Sequence, residues 1–362
     1  MAWSPQQDKA LADVSAWLKR GKPQVFRLFG FAGTGKTTLA RHLAEDIDGE
    51  VCFGAFTGKA ALVMRSKGCK DARTIHSLIY RPKDLDSEEP SFILNDESPA
   101  QSASLIVIDE CSMVDEELGR DLLSFGKPVL VLGDPAQLPP VKGGGFFTEV
   151  EPDVMLTEVH RQAADNPIVR MSMIVREGGR LDYGDWGDCR VIARRDIDAI
   201  AVTGADQVLV GMNRTRKLFN RRMRELFGFT QTTPEAGDKL VCLKNDRTKG
   251  LLNGSLWKVK TVSPMRAKKL RMSLTPDDDP GRKAVRVGVI PAFFESDDEI
   301  PYALRKDSDE FDFGYALTVH KSQGSQWDNV VLFDESGAFR EHRNRWLYTG
   351  ITRAAEKLTI VK

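Results

Sequence analysis

Three short apolar runs organise the N-terminal half of the chain. Residues 24–29 (Gln-Val-Phe-Arg-Leu-Phe), 105–108 (Leu-Ile-Val-Ile) and 128–132 (Pro-Val-Leu-Val-Leu) each stop at a glycine or an aspartate. Near-continuous apolar character over so few residues is the pattern of parallel strands buried on both faces. Helical periodicity at 37–46 and 115–124 falls between them, so residues 1–165 predict a doubly wound α/β domain with a parallel sheet. The pattern returns later. Residues 207–211 (Gln-Val-Leu-Val-Gly) lead to Asn213, a candidate N-cap for a helix over 214–226, and 330–333 and 358–361 supply further strands.

Two stretches break this rhythm. Residues 81–103 are rich in Pro, Ser, Asp and Glu but hold one apolar run, Phe92-Ile93-Leu94, which reads as a small β-hairpin or as a loop. Short strand-like runs at 239–243, 256–262 and 284–290 are separated by turn-formers, including Asp277-Asp278-Asp279-Pro280-Gly281. They predict a small β-domain, 244–310, inserted into a second α/β domain made of 166–243 and 311–362.

Composition narrows the class. With 362 residues, 41% hydrophobic and 29% charged, the chain is large enough for two or more cores. No apolar run approaches the ~20 residues of a membrane span, and the Met1-Ala2-Trp3-Ser4-Pro5 start has no signal-peptide pattern, so a cytoplasmic setting without a membrane partner is expected. The five cysteines are scattered without a C-x-x-C pair, which argues against a zinc site or disulfide framework. Basic and acidic residues each number 52, so any contact with nucleic acid must be made by local groups.

The chemistry concentrates at strand ends. Gly30-Phe31-Ala32-Gly33-Thr34-Gly35-Lys36-Thr37 fits G-x-x-x-x-G-K-[ST], placed after a strand and opening a helix. Its glycines let backbone N–H groups close around phosphates, Lys36 reaches the outer phosphates, and the Thr37 hydroxyl can ligate Mg²⁺. The run 105–108 ends in Asp109-Glu110; Asp109 is a candidate Mg²⁺ ligand and Glu110 a candidate to polarise the attacking water. Gln137, in Gly133-Asp134-Pro135-Ala136-Gln137-Leu138-Pro139-Pro140, is a candidate γ-phosphate sensor.

Taken in order, these segments resemble superfamily 1 helicases, in the branch that holds RecD and the phage Dda helicase. The likeness also rests on Phe56-Thr57-Gly58-Lys59-Ala60-Ala61, Arg73-Thr74-Ile75-His76-Ser77, Leu156-Thr157 with His160-Arg161-Gln162, Ala316-Leu317-Thr318-Val319-His320-Lys321-Ser322-Gln323-Gly324-Ser325, and Tyr348-Thr349-Gly350-Ile351-Thr352-Arg353-Ala354. It implies two RecA-like domains hydrolysing Mg-ATP in the cleft between them, and 5′-to-3′ movement on single-stranded DNA with unwinding of duplex. An RNA or RNA–DNA helicase, or an ATP-driven translocase or clamp that does not unwind, are the alternative readings. By resemblance, Lys36, Glu110, Gln137, Arg161 and Arg353 form the catalytic set, the two arginines as arginine fingers. Gln7, Gly30, Ala32, Gly33, Thr34, Gly35, Lys36, Thr37, Thr38, Asp109 and Gly324 line the nucleotide, with Thr37 and Asp109 on the metal. Gln7, with Ala10, resembles the family's adenine-reading glutamine segment; Gln6 is adjacent, and the pair reads equally as a polar helix start.

The same resemblance lays a nucleic-acid track through Phe56, Thr57, Lys59, Thr74, His76, Thr318, His320 and Lys321. Related sequences often carry proline where Phe56 stands, and Phe56 reads equally as a base-stacking ring or as core at a strand end. Segment 81–103 occupies the place of the family's strand-separating pin, with Phe92 as its interior aromatic, and 244–310 that of its SH3-like β-barrel. Expected partners are single-stranded DNA and DNA forks, with single-strand-binding or replication and recombination proteins as further candidates. The compact length suits a minimal motor acting as a monomer.

Overall fold

The computed structural model describes residues 3–83, 92–140, 144–158, 166–246, 248–277, 281, 283–296 and 298–362. They form two compact units. The first is built from Met1–Leu85, Pro90–Leu181 and Glu341–Thr352, the second from Asp182–Arg340 and Arg353–Lys362.

In the first unit the described strands form a sheet in the order β3-β2-β6-β7-β1-β8, every pair parallel. The strands are β1 Val25–Gly30, β2 Val51–Ala55, β3 Arg73–Thr74, β6 Leu105–Asp109, β7 Val129–Gly133 and β8 Val154–Leu156. Side chains alternate between two cores, which explains the continuous apolar runs. Phe26 and Leu28, Leu105 and Val107, and Leu130 and Leu132 face one core; Val25 and Phe29, Ile106 and Ile108, and Val129 and Val131 face the other. Helices α1 (Pro5–Arg20), α2 (Lys36–Glu45) and α3 (Gly58–Ser66) cover the first face, while α4 (Ile75–Ile79) and α5 (Glu116–Leu123) cover the second. Ser4 starts α1 with a reciprocal capping box to Gln7, and Asp115 caps α5. Helix α6 (Pro167–Arg176) packs against the helix Arg343–Ile351, which returns to this unit late in the sequence.

Within the expected pin segment, β4 (Tyr80–Pro82) and β5 (Phe92–Leu94) pair antiparallel. The chain between Lys83 and Phe92 lies outside the described residues.

The second unit holds a sheet in the order β17-β11-β18-β19-β10-β9, parallel except for β9 (Gly184–Trp186) against β10 (Cys189–Ile192). Its other strands are β11 Gln207–Val210, β17 Ala316–Thr318, β18 Trp327–Phe333 and β19 Ala354–Val361. Helix α7 (Ala199–Thr203) precedes β11, and α8 (Asn213–Leu226) follows it. Asn213 is not the N-cap: it is the first helical residue, and the Glu335 carboxylate accepts from the Gly211 and Met212 amides and the Thr215 hydroxyl. An anchoring carboxylate 120 residues away leaves no local sequence signal.

An antiparallel sheet in the order β15-β14-β13-β12-β16 shares a core with this unit's parallel sheet. Its strands are β12 Lys239–Cys242, β13 Leu256–Arg266, β14 Lys269–Pro276, β15 Val285–Val289 and β16 Phe311–Phe313. Thus β12 and β16 lie outside the 244–310 span that the sequence marks. Val208 and Phe333 of the parallel sheet join Trp257, Leu274 and Phe311 of the antiparallel one in one apolar cluster.

Candidate functional site

The P-loop connects β1 to α2. Gly33 and Gly35 adopt φ of 81° and 80°, a region open to glycine and strained for other residues. A Cβ on Gly30 would sit 2.7 Å from Thr34 Oγ1 and 2.8 Å from Leu156 Cβ, so only glycine lets the loop pass over β8. Helix α2 begins with no side-chain cap and no acidic residue in its first turn, which leaves its N-terminal amides suited to an anion. Lys36 Nζ folds back on the loop and donates to the carbonyls of Gly30 (2.7 Å) and Phe31 (3.0 Å). Thr38 lies in the first turn beside Thr37, half-buried, as are Ala32 and Lys36.

The acidic strand end closes on this loop. Thr37 Oγ1 donates to Asp109 Oδ2 at 2.7 Å, so the two candidate metal ligands are in direct contact across 72 residues of sequence. Asp109 Oδ1 accepts the Glu110 amide at 2.8 Å. Glu110 takes the left-handed conformation (φ 54°, ψ 43°), which is unfavourable for a side chain of its kind and clusters at functional sites. Cys111 follows; burial pushes its thiol well up from its ordinary pKa, so it behaves as an apolar core group. All five cysteines are unpaired and buried.

The turn after β7 supplies Asp134 and Gln137. Gln137 is 6% exposed, and its Oε1 is buried with no hydrogen-bond partner among the described residues. Buried amide oxygens are normally paired, so this one suits a donor such as a bound water. The Tyr348 phenol lies against the turn: it donates to Asp134 Oδ2 at 2.5 Å and accepts the P-loop Ala32 amide at 3.4 Å. Thr349 Oγ1 accepts the Leu138 amide at 3.0 Å. Burial and the Asp134 carboxylate push the Tyr348 phenol above its ordinary pKa. Neither Tyr348 nor Asp134 was given a role from sequence, although both fall within segments that carry the resemblance. Arg176 places its guanidinium 3.5 Å from the centre of the Phe31 ring, which ties the P-loop to α6 as Tyr348 ties it to the helix Arg343–Ile351.

Gln7 is 4% exposed, donates to Thr34 O at 3.1 Å and accepts the Ser4 amide at 3.0 Å. Gln6 instead binds the chain after β8, accepting the Thr157 and Glu158 amides. Arg161 lies outside the described residues.

Phe56, Thr57, Thr74 and His76 share one edge of the first sheet, because β2 and β3 pair in register Ala55↔Thr74. Thr57 caps α3 through the Ala60 amide, and Thr74 caps α4 through the Ser77 amide. Phe56 is half-buried, packs on the core and meets the His76 ring edge-on at 6.4 Å. Desolvation holds His76 below its ordinary pKa, against the raising pull of Asp115 and Glu117, although the residue keeps an exposed edge. Lys59 is half-buried on α3, and Phe92 is 58% exposed on β5.

In the second unit, Thr318 ends β17 and its Oγ1 accepts the Lys321 amide at 3.2 Å. His320 lies 5.4 Å from the Phe339 ring. Lys321 keeps solvent access, yet the density of protein around its ammonium, and secondly Arg216, pull its pKa down to about 8. Gly324 has φ 75°, and Arg353, 5% exposed, donates to the Ser325 carbonyl at 3.2 Å.

Comparison with known proteins places this geometry. Residues 3–187, just over half of the chain, match the AAA domain family, and residues 313–361 match the UvrD-like helicase C-terminal domain. The ATP-dependent RecD2 DNA helicase of Deinococcus radiodurans is 30% identical over 361 residues, covering 91% of this chain and 46% of the relative. The ATP-dependent DNA helicase dda of Enterobacteria phage T4 is 30% identical over 187 residues, covering 48% of this chain and 42% of the relative. The chain thus spans less than half the length of these relatives. Bacteroides Pif1, solved bound to single-stranded DNA, shares the fold at a TM-score of 0.60 and 18% identity, covering 99% of this chain and 92% of that one. The P-loop joined to its acidic strand end, and the two matched domains in order, make the chain a member of the AAA-domain family and of the superfamily 1B helicases that resemble RecD and Dda.

Proposed function

We propose that the chain is an ATP-dependent DNA helicase that moves 5′ to 3′ on single-stranded DNA and opens duplex at forks. The observation that carries the reading is the 2.7 Å contact between Thr37 and Asp109, with Glu110 held in a strained conformation beside it. The residues fit Mg-ATP: the glycine conformations and the uncapped start of α2 suit phosphate, and the orphaned Gln137 Oε1 suits the attacking water as a hydrogen-bond acceptor. Thr37 and Asp109 would hold Mg²⁺, which supplies charge neutralisation on the phosphates. Lys36 would exchange its loop carbonyls for phosphate oxygens, and Glu110 would orient the water. Arginine-finger roles for Arg353 and Arg161 rest on family membership.

Thr57, Lys59, Thr74, His76, Thr318, His320 and Lys321 are the proposed track, with Phe56 as a partly exposed ring beside His76. The β4–β5 hairpin is the proposed pin with Phe92 as its wedge, since stacking one base on an aromatic contributes ~1–3 kcal/mol, comparable to one DNA step of ~1.4 kcal/mol. The antiparallel sheet is the proposed SH3-like module.

Strand displacement on forks bearing either a 5′ or a 3′ single-stranded tail tests this, comparing wild type with Lys36→Ala. Unwinding from the 5′ tail alone, lost in the variant, is expected. Unwinding from the 3′ tail alone would overturn the polarity, and DNA-stimulated ATP hydrolysis without unwinding on either fork would overturn the pin.

A further inference from the structure

One face of the antiparallel sheet carries a polar concavity of about 560 Å³ that the motor reading does not use. Strand register builds it. Thr261, Ser273 and Arg286 stand opposite one another across β13, β14 and β15, and Ser263, Arg271 and Gly288 form the adjacent row. Side chains two apart on a strand share a face, so both rows point the same way, opposite to the apolar Met272, Leu274, Val287 and Val289. Gly288 is part of the construction: a Cβ there would lie 3.2 Å from Arg271 Nη1, so glycine lets that guanidinium lie flat across β15.

The charge is one-sided. Lys249, Lys269, Arg271 and Arg286 line the concavity against Asp307 and Asp309, four cations to two carboxylates in a chain of zero formal net charge. Asp309 and Lys249 are committed to one another at 2.5 Å, with Asp309 also accepting the Gly288 amide at 2.8 Å, which leaves Lys269, Arg271 and Arg286 against Asp307. Arg271 and Arg286 are exposed, on adjacent strands and diagonal to one another, hence ~7–8 Å apart at their Cα atoms. That spacing suits successive phosphates of one strand. Guanidinium and hydroxyl groups are the usual partners of phosphate oxygens. None of the residues lining the concavity is aromatic, so it offers no platform on which the bases of a single strand could stack.

We propose that this face binds the sugar–phosphate backbone of duplex nucleic acid, by charge and without reading sequence. The assignment rests on the reading of the chain as a motor on DNA, and adds a second contact surface made of none of the track residues.

The test is fluorescence anisotropy of the full chain with a short blunt DNA duplex and with an oligo-dT strand, titrated between 50 and 200 mM salt, for wild type and Arg271→Gln/Arg286→Gln. Each phosphate contact contributes ~0.9 to the slope of log affinity against log salt on duplex DNA, so the double variant is expected to lose about 1.8 from the duplex slope and at least about tenfold in low-salt duplex affinity. Oligo-dT affinity and dT-stimulated ATP hydrolysis are expected to hold. Thr261→Glu, which adds a like-for-phosphate charge to the same face and removes no cation, should weaken the duplex in the same direction. An unchanged duplex slope, or an equal loss on duplex and oligo-dT, would overturn the proposal. Absence of dT-stimulated hydrolysis in the wild type would overturn the motor reading separately, since duplex binding is measured without turnover.

Discussion

Removing one hydroxyl from the nucleotide site, by Tyr348→Phe, isolates a contact that ties three segments together. The phenol is 1% exposed, as is its acceptor Asp134, and the O···O distance is 2.5 Å. Asp134 keeps the Ala136 amide on its other oxygen at 3.0 Å, so the substitution strips one charge-assisted donor from a buried carboxylate. Hydrogen bonds to charged groups contribute ~1.5–3 kcal/mol, which gives a loss of about 2 kcal/mol. In a unit of this size that lowers Tm by about 4–8 °C. The loss has a pH signature. Because burial and Asp134 hold the phenol's pKa above its ordinary value, the folded chain keeps a proton that the unfolded chain sheds above about pH 10. The hydroxyl's stabilisation is therefore complete below pH 10 and fades as pH rises beyond it, and the gap in Tm between wild type and Tyr348→Phe should close with it.

The same bond sets the turn that carries Gln137, whose amide donates to the Asp134 carbonyl at 3.1 Å. Loosening that turn is expected to lower kcat for ATP about tenfold, the equivalent of ~1.4 kcal/mol, with KM changed less than about twofold. Scanning calorimetry across pH and DNA-stimulated ATPase kinetics are the assays. A variant whose Tm matches wild type at pH 7, or whose deficit stays constant above pH 10, would refute the reasoning.

Arg353→Ala should reduce kcat by roughly 10³ while nucleotide binding persists, the scale of an arginine finger in GTPases, as read by ATP hydrolysis and fluorescent-nucleotide titration. A fall in binding affinity with kcat retained would assign it a purely structural part. Single-strand affinity should decline as pH rises from 7 to 9, because Lys321, pulled down to about 8, is charged below that pH and neutral above it; Lys321→Arg should flatten the profile. Parallel profiles in anisotropy titrations would remove Lys321 from the track. Asp238→Ala should cost ~3–5 kcal/mol and about 10 °C in Tm, since fully buried Asp238 accepts two 2.9 Å bonds from Arg224 and one from the Tyr315 phenol, and its loss removes the buried carboxylate that pairs with that guanidinium.

What could be read from the sequence was whatever is decided over a few consecutive residues. The strands Leu105–Asp109 and Val129–Gly133 announce themselves because both their faces are buried, and the P-loop because its glycines, lysine and threonine must be adjacent to close on a phosphate. Asn213 shows the limit: it is a good capping residue by type, but the helix starts one residue earlier than that reading requires, with Met212 at the cap position and the Glu335 carboxylate from the neighbouring strand's end holding the Gly211 and Met212 amides. Of the antiparallel sheet, the runs at 239–243, 256–262 and 284–290 correspond to β12, β13 and β15, whereas β14 and β16 were missed; β16 is only Phe-Asp-Phe and acquires strand geometry by pairing with β12, far earlier in the chain.

The nucleotide site divides along the same line. Lys36, Thr37, Asp109 and Glu110 each belong to a local motif, whereas the bond that sets the Gln137 turn comes from Tyr348, 214 residues beyond Asp134. A tyrosine in a helix has many ordinary structural uses, so its type alone carries no role. Its significance arises from the buried carboxylate it meets, whose negative charge is tolerated at 1% exposure only while donors surround it. The helix Arg343–Ile351 thereby supplies the P-loop and the Gln137 turn with a single shared hydrogen-bonding group, and the residue that follows its end by two positions is Arg353.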